Sequence, residues 1–210
     1  MLKRTILAVV ITSFSLSANA GYQKQNNVHN YSQEKNYYCA ATIVQMYAHW
    51  LNKDTNATQD AIAISEGISA QKGLNIYELA DALENYTPNW FSSYSTSTKD
   101  NFVKKIISEN KSDQPVVVLT STRYSDPVEE PKPNKHYMLV DGFTQNTSKY
   151  SDDVSSTTGF HINDPLWDHV NRKSKYSAYE AVDGRVAFPM QEFMSEIASK
   201  SSNKYYLVRD

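Results

Sequence analysis

Apolar positions recur at helical spacing through the first half of this chain and at strand spacing through the second. From Cys39 to Leu51, the residues Ile43, Tyr47, Trp50 and Leu51 share a helix face, and Val44 and Met46 widen it. A helix so apolar is expected to be central and buried. Residues 57–66 predict a shorter helix that stops at Gly67. Asn75 is an N-cap candidate with Glu78 three residues on, and Ile76, Leu79, Ala80 and Leu83 give the next helix one apolar face. The pattern repeats over 97–110 through Phe102, Val103, Ile106 and Ile107.

The period then changes. Residues 115–119 (PVVVL) form a β-branched run bounded by proline, as in a buried strand. Residues 136–143 (HYMLVDGF) and 159–163 (GFHIN) predict two more strands, 190–198 a late helix, and 204–208 (KYYLV) a last strand. Helices first and strands afterward indicate an α+β class, an antiparallel sheet packed against N-terminal helices. Residues 21–35 are polar and are expected to run over the surface as an extended lead-in. Two long segments, the proline-rich 123–135 and the Ser/Thr/Asp-rich 145–158, flank the His136 strand and are read as loops at a site edge.

Composition adds a destination. Residues 1–20 carry Lys3 and Arg4, an apolar run from Ile6 to Ile11, and the small-x-small ending Ala18-Asn19-Ala20, the pattern of a secretory signal peptide. The expectation is an exported protein, periplasmic or secreted, folded as a single domain over 21–210. Removing that segment takes two of the 21 basic residues and none of the 23 acidic ones, so the formal net charge is −4. The apolar run from Ile6 to Ile11 is too short for a membrane anchor, no later stretch is long enough for a bilayer, and no basic patch appears, which argues against nucleic acid and a membrane anchor as partners.

Cys39 is the only cysteine in the sequence. Exported proteins use cysteines in pairs, so a single one is either a buried spectator or a thiol kept for chemistry. At a helix start it feels the positive end of the helix dipole, which favours the thiolate. A thiol nucleophile needs a base, a group to orient that base, and donors for the oxyanion. Of five histidines, His29 and His169 lie in polar segments, and His49 is ten residues along the Cys39 helix, roughly 15 Å away. His136 opens a strand directly after the proline-rich loop and is the base candidate, with His161 as the alternative. Asn163-Asp164-Pro165 closes the neighbouring strand, so Asp164 or Asn163 could accept from the imidazole. Gln33, six residues before Cys39, could supply one oxyanion donor beside the Cys39 N–H. This chemistry calls for no cofactor or metal. Trp167 reads equally as a wall of a binding subsite or as a core anchor.

Gln33 with Tyr38-Cys39-Ala40-Ala41, then His136 to Phe143, then Ile162-Asn163-Asp164-Pro165, together resemble the signature blocks of papain-like cysteine peptidases. The nearest branch is the bacteriocin-processing (double-glycine leader) peptidases and their secreted relatives. The resemblance implies a papain-like fold with Cys39 as nucleophile, His136 as base, Asp164 as orienter and Gln33 at the oxyanion hole. Two departures stand out: Ala40 where that branch commonly has glycine, and an export signal with no transporter segments. The expected function is therefore hydrolysis of a peptide or amide bond in a polypeptide or in peptidoglycan peptides. A transglutaminase-like acyltransferase and a catalytically idle peptide-binding module are the competing classes.

Overall fold

A computed structural model describes residues 21–52, 56–121, 135–166, 181–182, 185–189, 194 and 204–210. In chain order its elements are β1 (Gln23–Gln25), α1 (Cys39–Asn52), α2 (Gln59–Ser65), α3 (Ile76–Tyr86), β2 (Phe91–Thr96), α4 (Lys99–Lys111), β3 (Val116–Ser121) and β4 (Lys135–Gln145). A 3-10 turn (Val154–Ser156), β5 (Thr157–Asn163), β6 (Ala181–Val182), β7 (Arg185–Pro189) and β8 (Lys204–Arg209) follow. The strands form one antiparallel sheet in the order β2-β8-β3-β4-β5-β7-β6, with β1 paired to β4 outside that path. This is the α+β, papain-like architecture expected, although β1 and β2 bring N-terminal strands into the sheet.

The sheet is apolar on both faces. Val117, Leu139 and Leu207 pack with α1, α2 and α3 in one core. Their alternating neighbours Val116, Val118, Met138, Val140 and Val208 pack with Phe102, Val103, Ile106 and Ile107 of α4 in another. Helices therefore cover both faces, and the unbroken apolar runs in β3 and β4 are the reason. Helix α1 lies in the first core, with Ala40, Ala41, Ile43, Val44, Met46, Tyr47 and Ala48 all essentially inaccessible. Asn75 and Glu78 form the reciprocal cap that starts α3. Gly67 ends the turn after α2 with φ +66°, a conformation that L side chains disfavour.

β4 is the spine of the sheet, and one of its edges serves two partners. Its first six residues pair with β3, from Ser121↔Lys135 to Val116↔Val140, and Gly142, Phe143 and Thr144 pair with β1. Asp141 sits at the junction, where the register with β5 also shifts. Its carbonyl accepts the Asn26 N–H at 2.7 Å and its Oδ2 the Val28 N–H at 3.2 Å, so it receives the lead-in as that segment leaves the sheet. The lead-in is thus not merely superficial: Asn26, Val28 and Asn30 are buried. Gly142 makes the docking of β1 possible, because a Cβ there would stand 2.3 Å from the Lys24 carbonyl oxygen.

Segment 145–158 begins at the opposite end of β4 from His136, about 30 Å along the strand at roughly 3.3 Å per residue, and packs near α4. It is not an edge of the site. The expected signal peptide, the loop over 123–134, Trp167, His169 and most of the late helix lie outside the described residues. Met194 of that helix is helical and buried against the α4 side.

Candidate active site

The thiol is the first residue of α1, because the chain before it is fastened from several directions. The Tyr38 carbonyl accepts the N–H of Thr42 at 2.8 Å and its hydroxyl at 2.9 Å, which closes the first helical turn. The Tyr38 N–H in turn reaches the Lys35 carbonyl at 2.9 Å. At the surface, Lys35 Nζ donates to the Tyr38 hydroxyl (2.8 Å) and to Asp60 (2.7 Å), and the Tyr38 hydroxyl donates to Asp60 (2.7 Å). Cys39 is left partly exposed at the positive end of a helix of fourteen residues. The Ala40 methyl points into the core.

His136, at the start of β4, donates through Nε2 to Asp164 Oδ1 at 2.7 Å, and both side chains are buried. Asp164 follows the last residue of β5, and its Oδ1 also accepts the Leu166 N–H at 2.9 Å, a local turn that fixes the carboxylate. With Nε2 committed to the carboxylate, Nδ1 is the ring nitrogen left for the hydrogen bond between His136 and Cys39. Burial alone would push the His136 pKa down. The Asp164 charge and hydrogen bond, with smaller contributions from Cys39, outweigh it and raise the pKa to about 9. Burial pushes the Cys39 thiol up, but the bond to His136 and its charge, then the backbone N–H groups of Tyr137 and Ala40, hold it below the ordinary value. Both shifts favour the same charge-separated pair, thiolate beside imidazolium.

Gln33 joins this end of the sheet through its backbone. Its N–H donates to the Pro165 carbonyl at 2.7 Å, one residue beyond Asp164. Its side-chain Nε2 donates one N–H to the Lys35 carbonyl at 2.8 Å, which leaves the second N–H of the amide for another acceptor.

Of the alternatives, neither His161 nor Asn163 is in the contact that joins His136 to Asp164. His161 lies opposite Gly142, six residues along β4 from His136, and its Nε2 meets the Gln23 amide at 3.1 Å. Asn163 is buried on β5, but the imidazole contact goes to Asp164. His49 bonds to the Tyr31 hydroxyl at 2.6 Å, and His29 stacks edge-on against the same ring. Sequence reasoning missed Gln59. This residue of α2 is buried, and its single amide spans the segment carrying Gln33: Oε1 accepts the Glu34 N–H at 2.8 Å and Nε2 donates to the Ser32 carbonyl at 2.8 Å. Nothing in the local pattern of α2 marks it, because its partners lie in another element.

A thiol at the head of a buried helix, an imidazole backed by a carboxylate, and an antiparallel sheet between helices define the papain-like cysteine peptidases. Residues 25–187 match the Peptidase_C39 like family, and the chain belongs to that family of cysteine peptidases. No curated protein matches it. Among solved structures, a putative C39-like peptidase from Bacillus anthracis is similar over 90% of this chain and 98% of its own, at 14% identity and a TM-score of 0.56. A double glycine motif protease from an AMS/PCAT transporter, in complex with the leader peptide, covers 89% of this chain and 95% of its own, at 16% identity and a TM-score of 0.51. The peptidase domain of Streptococcus ComA, a bifunctional ABC transporter, covers 87% and 99%, at 14% identity and a TM-score of 0.50. At these identities the likeness is one of fold.

Proposed function

We propose that this chain is an exported thiol hydrolase that cleaves peptide bonds through Cys39, His136, Asp164 and Gln33. The observation that carries the reading is the buried His136–Asp164 pair set against the thiol, with both pKa shifts favouring thiolate and imidazolium. The Cys39 thiolate attacks the scissile carbonyl carbon, forming the C–S bond and an oxyanion. The Cys39 N–H and the second amide N–H of Gln33 donate to that oxygen. As the tetrahedral species collapses, the C–N bond breaks and the leaving amine takes the Nδ1 proton of His136. Water then attacks the thioester and gives a proton to Nδ1. The second collapse breaks the C–S bond and releases the carboxylic acid and the thiolate. Asp164 keeps Nε2 protonated and the ring oriented throughout. Export rests on the pattern of residues 1–20, and a peptide substrate is consistent with the leader peptide bound by the double glycine motif protease.

The test uses a fluorogenic Gly-Gly peptide, a diverse peptide library and intact peptidoglycan, with Cys39→Ala as the blank. The expected result is cleavage that Cys39→Ala abolishes while its fold is retained, and a mass increase at Cys39 for the trapped acyl-enzyme. Amine incorporation exceeding hydrolysis would make the protein an acyltransferase. Peptide binding without turnover, at a thiol no more reactive than free cysteine, would make it an idle binding module.

A further inference from the structure

We infer that Gln59 is a positioning residue for the oxyanion hole, acting through Gln33; the inference rests on the role proposed for Gln33. A donor at an oxyanion hole is effective only if it is held before the charge develops, because reorganising it during the reaction costs much of what it contributes. Gln33 lies in a segment without regular secondary structure, where that constraint has to come from elsewhere. Gln59 supplies it. Its amide binds the carbonyl of Ser32 and the N–H of Glu34, the residues on either side of Gln33, as a neighbouring strand would. The amide is in turn fixed within the core: Oε1 also lies 2.9 Å from the Thr42 hydroxyl, whose one proton it shares with the Tyr38 carbonyl, and Nε2 also donates to Gln45 Oε1 at 3.1 Å; Thr42 and Gln45 are both on α1. These four hydrogen bonds tie the Gln33 segment to the helix that starts with Cys39. The Gln33 N–H to Pro165 fastens the opposite side to the segment that carries Asp164. Donor, nucleophile and orienter are thereby referenced to one another through a side chain that none of the chemistry touches. A purely structural role would need only some polar match for two α1 side chains, not the pair of backbone groups that bracket Gln33.

The experiment compares two reactions of the same thiol in the full chain. Acylation of Cys39 by p-nitrophenyl acetate passes through a tetrahedral oxyanion, whereas alkylation by iodoacetamide does not. The ratio of their rate constants therefore isolates the contribution of the oxyanion hole from thiolate content and fold. Gln33→Ala is expected to lower the ratio about a hundredfold. Gln59→Met, which keeps the volume and removes all four bonds, is expected to lower it by about ten- to a hundredfold with alkylation close to wild type. The double variant is expected to match Gln33→Ala. Gln59→Glu retains the acceptor for the Glu34 N–H, loses the donor to Ser32, and is expected to fall between wild type and Gln59→Met. Losses that multiply in the double variant, or a wild-type ratio in either Gln59 variant, overturn the inference. A parallel fall in acylation and alkylation overturns it too, because that is the signature of general disruption. A wild-type ratio in Gln33→Ala overturns the role of Gln33 itself, a result separate from any obtained at position 59.

Discussion

At the scale of the residue, the titration of His136 and Cys39 sets when this site is usable. The imidazole pKa is raised from an ordinary 6.5 to about 9, so the stability it contributes is complete below 6.5 and is lost as pH rises through about 9. The thiol pKa is lowered from an ordinary 9.0, so its contribution is complete above 9.0 and is lost as pH falls through the depressed value. Between those limits the charge-separated pair is the dominant form. kcat/KM is therefore expected to fall on an alkaline limb near 9 and on an acid limb at the depressed thiol pKa, read from steady-state rates against pH. Asp164→Asn removes the largest influence that raises the imidazole, so its alkaline limb should move to lower pH; an unmoved limb would separate Asp164 from the titration. In His136→Ala the strongest influence holding the thiol down is lost, leaving only the Tyr137 and Ala40 N–H groups against burial, so alkylation at pH 6 should fall toward that of a free cysteine with pKa about 8.5. Cys39, His136 and Asp164 were legible because each stands at an element boundary with its own signal: a helix start, a strand start after prolines, an Asp-Pro stop. Gln59 was not, since a buried amide whose partners are distant backbone groups leaves no trace in its neighbours.

At the scale of the element, the helices were read with small errors at their ends and several strands were missed. Period 3.6 survives in α1, α3 and α4 because each buries a continuous face. β2, with the sequence FSSYST and only its first residue buried, lies at a sheet edge, where a strand has one partner and its side chains stay polar. β1, a polar Gln-Lys-Gln, is recognisable only by what it pairs with. Its partner shows the dependence at Gly142. Gly142→Ala would drive a methyl into the Lys24 carbonyl, and since that atom is backbone the strand must move. The expected cost is about 1–3 kcal/mol or more in urea denaturation, with faster hydrogen exchange over 23–25. Wild-type exchange there would show that β1 tolerates the crowding without separating from β4.

At the scale of the whole molecule, the sheet divides two cores with different duties. The α1 side carries the proposed nucleophile, and the α4 side carries none of the proposed site residues. Met138→Ala opens a cavity on the α4 side and should cost about 2–5 kcal/mol, lowering Tm while the folded protein alkylates Cys39 at the wild-type rate. A changed rate would mean that the cores communicate through β4. The order of elements indicates helices packed on an antiparallel sheet, and the runs Val116-Val117-Val118 and Met138-Leu139-Val140 add that both of its faces are covered. A strand that is apolar at every position has two faces to bury.

The proposed triad bridges three distant stretches of chain, and this gives its chemistry a time of arrival. Domains emerge from the ribosome beginning with the N-terminus. A nascent chain extended only through β3 possesses α1 and its cysteine but neither the imidazole of β4 nor the carboxylate after β5. Its thiol is then an ordinary one, without the partners that make it acidic. Reactivity switches on when the later strands zip into the sheet, so an unfinished or unfolded copy is chemically muted, and the first fast alkylation during refolding dates the closure of β4 and β5.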